Sequence, residues 1–473
     1  MDKGIFRQYD IRGIVPDNFN SEIASKIANA IAIKTKIKTK NENPSVVVGR
    51  DVRLSSEDLF LGVVTGLIDA GCKVINIGAV PTPVTYFASN FLKSDAFIMI
   101  TGSHNPPEYN GLKFGIDNET IHSEGILEIY EEIQRNGYIF SGLKGFIEKY
   151  YILDDYFNFY KNSFTELKNK ISQLPEIKVI IDAGNGAASL VAPEIFKELG
   201  VKVIELFCEP DGRFPNHHPD PTVEKNLIDA RNTLLDQKAD FAFAYDGDAD
   251  RIGILDEKGD IIWGDMLIYI YAKELKKRYA KPTIIADVKA SQVLFDELNK
   301  LGIETIMWKT GHSLIKDKLK KTGAELAGEM SGHIFFKDRF FGFDDAIYAS
   351  VRFLEAYVDN RLNGFIDKAS DLIKDLPKVF NTPEIRLDCP DDKKFQIVDS
   401  LKNIFMEYHK NYKMGIKSII DIDGIRVNFE HGWGLLRASN TQPVLVMRFE
   451  ADTKDNMLFY QKIFQEELNR LMM

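Results

Sequence analysis

The stretch KVIIDAGNGAASLVAPEIFKELGVKVIEL, Lys178 to Leu206, reads as a β-branched run, a Gly-rich polar loop, a helical segment ending at Leu-Gly, and a second apolar run. Short Val/Ile runs bounded by turn residues signal strands, and the apolar spacing of the middle segment is helical. The same order occurs twice more. SVVVGRDVR (45–53) leads through SSEDLFLGVVTGLIDAG (55–71) to CKVINIG (72–78), and TIIADVKAS (283–291) leads through QVLFDELNKLG (292–302) to IETIMW (303–308). Self-similarity of this kind marks repeated structural units. Strand, helix and strand in alternation predict α/β layers with parallel pairing.

Each copy runs on into a further apolar stretch that ends in a polar loop: AFIMI into TGSHNP (101–106), DFAFAY into DGDADR (246–251), and GAELA into GEMSGH (328–333). Ligands of α/β sheets collect beyond the C-terminal ends of strands, so the three loops are predicted to share one site. Taken singly, each also reads as a surface turn, since Gly, Asn, Asp and Pro are turn residues.

The chain of 473 residues exceeds a single core, and at ~100–200 residues per domain it divides into three or four. Hydrophobic residues at 44% and charged residues at 27% describe a globular protein and exclude wholesale disorder. A net charge of −10 argues against general affinity for nucleic acid or an anionic membrane, so an anionic ligand has to be met by a local basic pocket. Cys72, Cys208 and Cys389 are scattered and form no CxxC pair, which suggests neither a disulfide framework nor a zinc site and fits the cytoplasm. The start, MDKGIFRQYDIRG, has no apolar core of signal-peptide type, and LFLGVVTGLIDAG (59–71) falls short of the ~20 residues of a membrane span.

Weak boundaries lie at Gly145–Ile152, at DEKGDIIWGD (256–265), which reads as a turn or hairpin, and at the Pro- and Asp-rich KDLPKVFNTPEIRLDCPDDKK (374–394). Beyond them, strand-like VLVMRFEAD and a final helical run do not carry the repeat and read as a smaller α+β domain. The expected domains are therefore 1–148, 149–258, 259–374 and 375–473.

In YDGDADRIGILDE the carboxylates Asp246, Asp248 and Asp250 alternate after an apolar strand. Held close, they repel one another unless a cation sits between them, and hard oxygen donors suit Mg²⁺. A calcium loop is rejected: Glu257 takes position twelve, but Arg251 stands at position six, where the sharp turn needs Gly. A solvated acidic turn is the plainer alternative.

Ser103 lacks the GxSxG elbow of acyl transfer. If it is phosphorylated, its dianionic oxygens complete the coordination of a metal held by the three Asp residues. Arg7, Arg12, Lys113, Arg251 and Lys289 supply charge of the kind phosphoryl transfer needs, although each alone reads as a paired surface cation. Glu329, Ser331 and His333 alternate in a Gly-flanked loop and suit sugar hydroxyls, while His312 follows Gly311. Each His reads equally as a proton-transfer group or a structural hydrogen-bonder. His217 and His218, crowded by Pro, read as an ordered loop. Arg437, Ser439, Asn440 and Thr441, just before a strand, form a phosphate cradle or a plain hairpin turn.

Together FRQYDIRG, TGSHNPPEYNGLKF, PDGRFPNHHPDPTVEKNL, DGDADR, GEMSGH and RASNTQPVLVMRFEA resemble the α-D-phosphohexomutases, and among them the bacterial phosphomannomutase/phosphoglucomutase group. The resemblance covers nearly the whole chain. It implies three similar α/β domains and a distinct α+β C-terminal domain around a central active-site cleft.

It further implies a phosphoserine at Ser103 beside one Mg²⁺ held by Ser103, Asp246, Asp248 and Asp250. By the same resemblance Tyr9, Arg12, Arg251 and Lys289 position the serine or the ligand, and Lys113, His312 and His333 are candidates for proton transfer. Glu329, Ser331 and His333 recognise the sugar, and Arg437, Ser439, Asn440 and Thr441 grip its phosphate.

The implied reaction interconverts hexose 1- and 6-phosphates through hexose 1,6-bisphosphate, which serves as intermediate and activator. Sugar phosphates are the expected partners, with no nucleic acid or membrane, and the chain is expected as a monomer or weak dimer. Ala249 stands where many relatives have Gly, and Met330 stands where phosphoglucosamine mutases favour Gln, which points to mannose or glucose. A phosphoglucosamine mutase and a metal-dependent sugar phosphatase are the alternatives. For the phosphatase, FAFAYDGDADR is similar to the nucleophile strand of haloacid-dehalogenase-like enzymes, but Asp250 stands where those carry Thr or Val.

Overall fold

The computed structural model describes residues 1–117, 119–142, 144–440 and 443–472. Its framework is four sheets, and the three repeats build the first three. In each, the opening strand of the repeat lies between the other two in parallel register. Ser45–Arg50 pairs with Lys73–Ala79 and Ala96–Ile100, Lys178–Asp182 with Lys202–Leu206 and Phe241–Tyr245, and Thr283–Asp287 with Glu304–Trp308 and Leu326–Gly328.

The parallel pairing expected within each repeat is met, and the strand that follows each polar loop runs the other way. Tyr109–Ile116, Ile252–Leu255 and Ile334–Phe336 return antiparallel to the third strand of their repeats. The loops between them, 101–108, 246–251 and 329–333, are too short for a crossover, which takes a dozen or more residues. TGSHNP, DGDADR and GEMSGH are therefore hairpin loops at the C-terminal ends of central strands.

Two of the supposed boundaries carry strands of their own. Phe146–Lys149 lies parallel to Lys73–Ala79 as the edge of the first sheet. Within 374–394, Phe380–Asn381 and Ile385–Asp388 pair antiparallel with Val444–Ala451 and belong to the fourth sheet. That sheet continues through Gly432–Ala438, Ile425–Phe429 and Ile416–Ile420, all antiparallel, with helices Lys394–Lys410 and Lys454–Met472 packed on it. The hairpin expected at 256–265 forms, with Asp256 N–H donating to Asp260 O at 2.9 Å.

One apolar core runs through the first three domains. It joins Val47, Ile75 and Phe97 to Tyr156 on helix Ile152–Ser163, to Val179 and Phe243, and to Ile284 and Leu326. The fourth domain has a separate core and meets the third through a small cluster of Val288, Trp433 and Leu435. Arg426 pins this junction: fully buried, it donates to Val288 O at 2.7 Å and Ala290 O at 2.8 Å. The apolar part of this junction is small, and polar contacts such as Lys289 to Glu384 at 2.7 Å and Gln292 N–H to Glu450 at 3.0 Å supplement it. Among the described residues no helix is long and apolar enough to cross a membrane.

Candidate active site

Ser103 sits at the tip of the first hairpin loop, almost fully buried, with φ at 49°. A left-handed residue other than Gly needs outside support. Thr101 Oγ1 accepts from Ser103 N–H at 2.8 Å, and the Arg53 guanidinium donates to the carbonyls of Ser103, Asn105, Pro106 and Tyr109 at 2.6–2.9 Å. Arg53 is itself paired with Asp51 at 3.2 Å.

Sequence reasoning missed Arg53, although a signal was present. Asp51-Val52-Arg53 and Asp287-Val288-Lys289 end corresponding strands of two repeats, and only the second drew attention. Because Arg53→Met strips donors from four carbonyls and leaves Asp51 buried without its cation, we expect it to cost roughly 3–5 kcal/mol by urea unfolding. A loss under about 1 kcal/mol would mean that the loop holds itself.

The second domain brings its carboxylates to this serine. Ser103 Oγ donates to Asp246 Oδ2 at 3.1 Å and lies 3.2 Å from His104 Nδ1. The approach requires Gly247, because a Cβ there would stand 2.4 Å from the Ser103 carbonyl oxygen. Asp246, Asp248 and Asp250 are all fully buried, with one oxygen from each within 4.8 Å of the others. Asp246 Oδ1 accepts from the N–H groups of Asp250 and Arg251 at 3.0 Å each, and Thr82 Oγ1 donates to Asp248 Oδ2 at 2.5 Å.

Lys113, on the returning strand beside Met99, donates to Asp248 Oδ2 at 2.8 Å and also to Asp250 Oδ2. Burial and the neighbouring Asp250 and Asp248 push the Asp246 carboxyl well above its ordinary range. Burial works the same way on Asp250, but Lys113 and His333 hold its carboxyl down. Asp248 Oδ1 and Asp250 Oδ1 are buried with no hydrogen-bond partner. A lone ammonium cannot balance three buried carboxylates. Orphaned hard oxygens around one point therefore fit a divalent cation of the Mg²⁺ type.

The third domain closes the other side. His333 Nε2 accepts from Arg251 Nε at 2.9 Å, and Ile252 N–H donates to Gly332 O at 3.1 Å, so the GEMSGH loop is docked on the second sheet. His312 stacks on His333 with ring centroids 5.6 Å apart. Burial, then Lys316 and Lys113, push the His312 imidazole well below its usual range, toward the neutral form. Glu329 Oε1 accepts from Gly311 N–H at 2.7 Å, and Ser331 is half-buried in the same loop.

Lys289 bonds Glu384 at 2.7 Å and stands 3.9 Å from Asp287. Burial opposes charge on Glu384, yet Lys289 holds its carboxyl down to about 2, whereas burial pushes Asp287 up to about 6.

The fourth domain completes the ring. Arg437 Nε donates to Asp423 Oδ2 at 2.9 Å, and Asp423 also accepts from Thr310 N–H at 3.1 Å. Asn440 Nδ2 donates to Tyr9 Oη, which donates to Thr310 O, both at 2.7 Å, so domains one, three and four meet at a single phenol. Gly311 makes this possible: its φ is 132°, and a Cβ there would stand 2.5 Å from the Tyr9 ring. Arg12 is held by Asp10 at 2.8 Å and Asn105 at 2.7 Å, facing the Ser103 loop. Ser439 lies almost buried beside Arg437, while Thr441 falls outside the described residues.

Three candidates stand apart. Arg7 pairs with Asp391 at 3.8 Å; His217 bonds Asp182 at 3.0 Å, as expected of an ordered loop; and Glu257 accepts from Ser370, away from the carboxylate cluster. The three cysteines are unpaired. Sequence reasoning also missed Thr82, which reaches Asp248 from the first domain, and His104, Lys316 and Asp344.

Four segments match the phosphoglucomutase/phosphomannomutase family: residues 3–139 its alpha/beta/alpha domain I, 154–259 domain II, 263–380 domain III and 384–464 its C-terminal domain. The chain is 44% identical over 467 residues to "Phosphomannomutase/phosphoglucomutase" of Pseudomonas syringae pv. tomato, covering 99% of this chain and 95% of that one. It is 41% identical to "Phosphoglucomutase" of Neisseria meningitidis serogroup B, covering 98% and 96%. A crystal structure of a phosphoglucomutase/phosphomannomutase family protein from Burkholderia thailandensis superposes with a TM-score of 0.86 at 37% identity, covering 99% and 98%.

Proposed function

The chain belongs to the phosphoglucomutase/phosphomannomutase family and is a phosphohexomutase, and from that premise we propose that Ser103 is its phosphoryl carrier. The reaction interconverts the 1- and 6-phosphates of mannose, glucose or both. The P–Oγ bond of phosphorylated Ser103 breaks with its electron pair left on Oγ. A P–O bond forms to the free hydroxyl of the sugar phosphate, and the hydroxyl proton passes to His333 or His312. The resulting 1,6-bisphosphate turns over in the cleft. The electron pair on Ser103 Oγ forms a bond to its other phosphorus, the bond from that phosphorus to the sugar oxygen breaks, and the sugar oxygen takes the proton back from the histidine.

Asp246, Asp248 and Asp250 would hold one Mg²⁺, which offsets charge on the phosphoryl oxygens. Arg12, Arg251 and Lys113 add fixed positive charge around the serine. Glu329 and Ser331 meet the sugar hydroxyls, and Lys289 helps to position the ligand. Tyr9, Arg437, Ser439, Asn440 and Thr441 grip the phosphate that does not react. A cradle that takes either end of the sugar calls for a fourth domain that opens and closes, and the small apolar cluster at its junction supports such motion.

The observation that carries the reading is the 3.1 Å contact between Ser103 Oγ and Asp246 Oδ2, which joins two loops on different domains. We take the chain to act as a monomer or weak dimer, and the unpaired thiols support a reducing cytoplasm. The test is a parallel assay of mannose 1-phosphate, glucose 1-phosphate and glucosamine 1-phosphate, each primed with its bisphosphate. Turnover of the first two is expected. Preference for the third would reassign the sugar, release of free phosphate would favour a phosphatase, and inertness toward all three would overturn the reading.

A further inference from the structure

Asp344 lies outside the six motifs, yet its fully buried carboxylate stands between two imidazoles and an ammonium. Oδ1 accepts from Lys316 Nζ at 2.9 Å. Oδ2 lies within ion-pair distance of His333 Nδ1, at 3.3 Å, and of His312 Nδ1, at 3.5 Å, and forms no hydrogen bond among the described residues. An antiparallel bridge between Phe335 and Asp344 ties this carboxylate to the strand that follows His333, so the spacing is set by backbone. Burial opposes charge on Asp344, but Lys316 and His333 hold its carboxyl down, and it remains an acceptor.

The opposite edge of His333 fixes the tautomer. Arg251 Nε donates to His333 Nε2 at 2.9 Å. A guanidinium has donors and no acceptor, so the lone pair must be on Nε2. The neutral ring then carries its hydrogen on Nδ1, which faces Asp344 Oδ2, with Asp250 Oδ1 further away at 3.7 Å.

We infer that Asp344 is the positioning residue of the proton-transfer step, holding His333 as the Nδ1–H tautomer so that Nε2 is the base. The inference rests on the reading of His333 as acceptor of the sugar hydroxyl proton. When Arg251 turns to the phosphoryl oxygens, for which a guanidinium is well matched, Nε2 is exposed to the hydroxyl. As the hydroxyl oxygen bonds to phosphorus, its O–H bond breaks and the proton moves to Nε2. The imidazolium then keeps its Nδ1–H on the Asp344 carboxylate. His312 Nδ1 lies 3.5 Å from the same carboxylate oxygen.

Asp344→Asn tests this because Lys316 can only donate. It keeps the amide oxygen of the new side chain and turns the amide N–H groups onto Nδ1 of both histidines. Nδ1 must then accept, the hydrogen moves to Nε2, and the base is lost.

Full-length protein labelled with nitrogen-15 histidine, with His333→Gln identifying the His333 signals, reads the tautomer directly. The wild type is expected to show a protonated Nδ1 and a lone pair on Nε2, and Asp344→Asn the reverse. In the mutase assay kcat should fall by about 10²-fold or more with KM held within about threefold, and Asp344→Glu should recover about tenfold of the loss.

A wild-type spectrum with the hydrogen on Nε2 overturns the inference even if the variants fail to fold. So does a kcat for Asp344→Asn within about threefold of wild type. A wild type inert toward every sugar phosphate would instead remove the proposed function, while the spectrum, which needs no turnover, still decides the role of Asp344.

Discussion

Ser103→Ala should lower kcat by about 10⁵-fold or more, the scale reached when a covalent nucleophile is removed and binding is left intact. The loss is chemical because the loop does not depend on the hydroxyl. Its left-handed turn is held by Thr101 and by the four carbonyl contacts of Arg53, whereas Oγ makes only its contacts to Asp246 and His104. Such side-chain hydrogen bonds contribute about 1 kcal/mol each, so the variant should fold and melt close to the wild type. Mass spectrometry of tryptic peptides should find a phosphoryl group on Ser103 in the wild type. Residual turnover of as much as about a hundredth in Ser103→Ala would place the phosphoryl carrier elsewhere.

Replacing one carboxylate of the triad separates metal binding from folding. In Asp246→Asn the amide oxygen can keep both backbone N–H bonds from Asp250 and Arg251, and the amide N–H can meet Ser103 Oγ. What disappears is one negative charge from a buried cluster. The folded state raises the Asp246 carboxyl above its ordinary 3.8, so in the metal-free protein this group costs stability as pH climbs above that value. The variant lacks that slope and should be at least as stable as the wild type at neutral pH without metal.

With metal the order reverses. A cation at a hundred times its Kd stabilises a protein by about 2.7 kcal/mol, and this gain in Tm should appear in the wild type and vanish in Asp246→Asn. Loss of several kcal/mol of charge neutralisation at the phosphoryl group should reduce kcat on the order of 10³–10⁴-fold. An equal Mg²⁺-induced rise in Tm for both proteins would show that the three carboxylates are not the metal site.

Residue types that announce their chemistry were legible along the chain. The Asp alternation, the serine between Gly and His, and the Glu-x-Ser-x-His loop each occupy a single hairpin. Their spacing is set locally by φ/ψ preferences and turn residues, and all three carboxylates fall in the loop 246–251. Arg53 was obscured because a guanidinium that binds carbonyl oxygens leaves no polar pattern in its partners. Asp344 was obscured because its meaning comes from His312, His333 and Lys316, which reach it from two other elements.

The chain order alone determined three α/β units and a different fourth one, because strand and helix periods, Gly-terminated helices and short loops are properties of neighbours in sequence. The antiparallel return after each polar loop followed once the strand ends were known, since loops of a few residues permit only a hairpin. Only the tertiary structure decided that Ser103 faces Asp246, that Lys113 bridges Asp248 and Asp250, and that Tyr9 joins three domains. Those contacts span up to 431 residues. They exist because one apolar core holds the first three domains together, and burial makes an unpaired polar group costly, so several groups at the junction take partners from another domain.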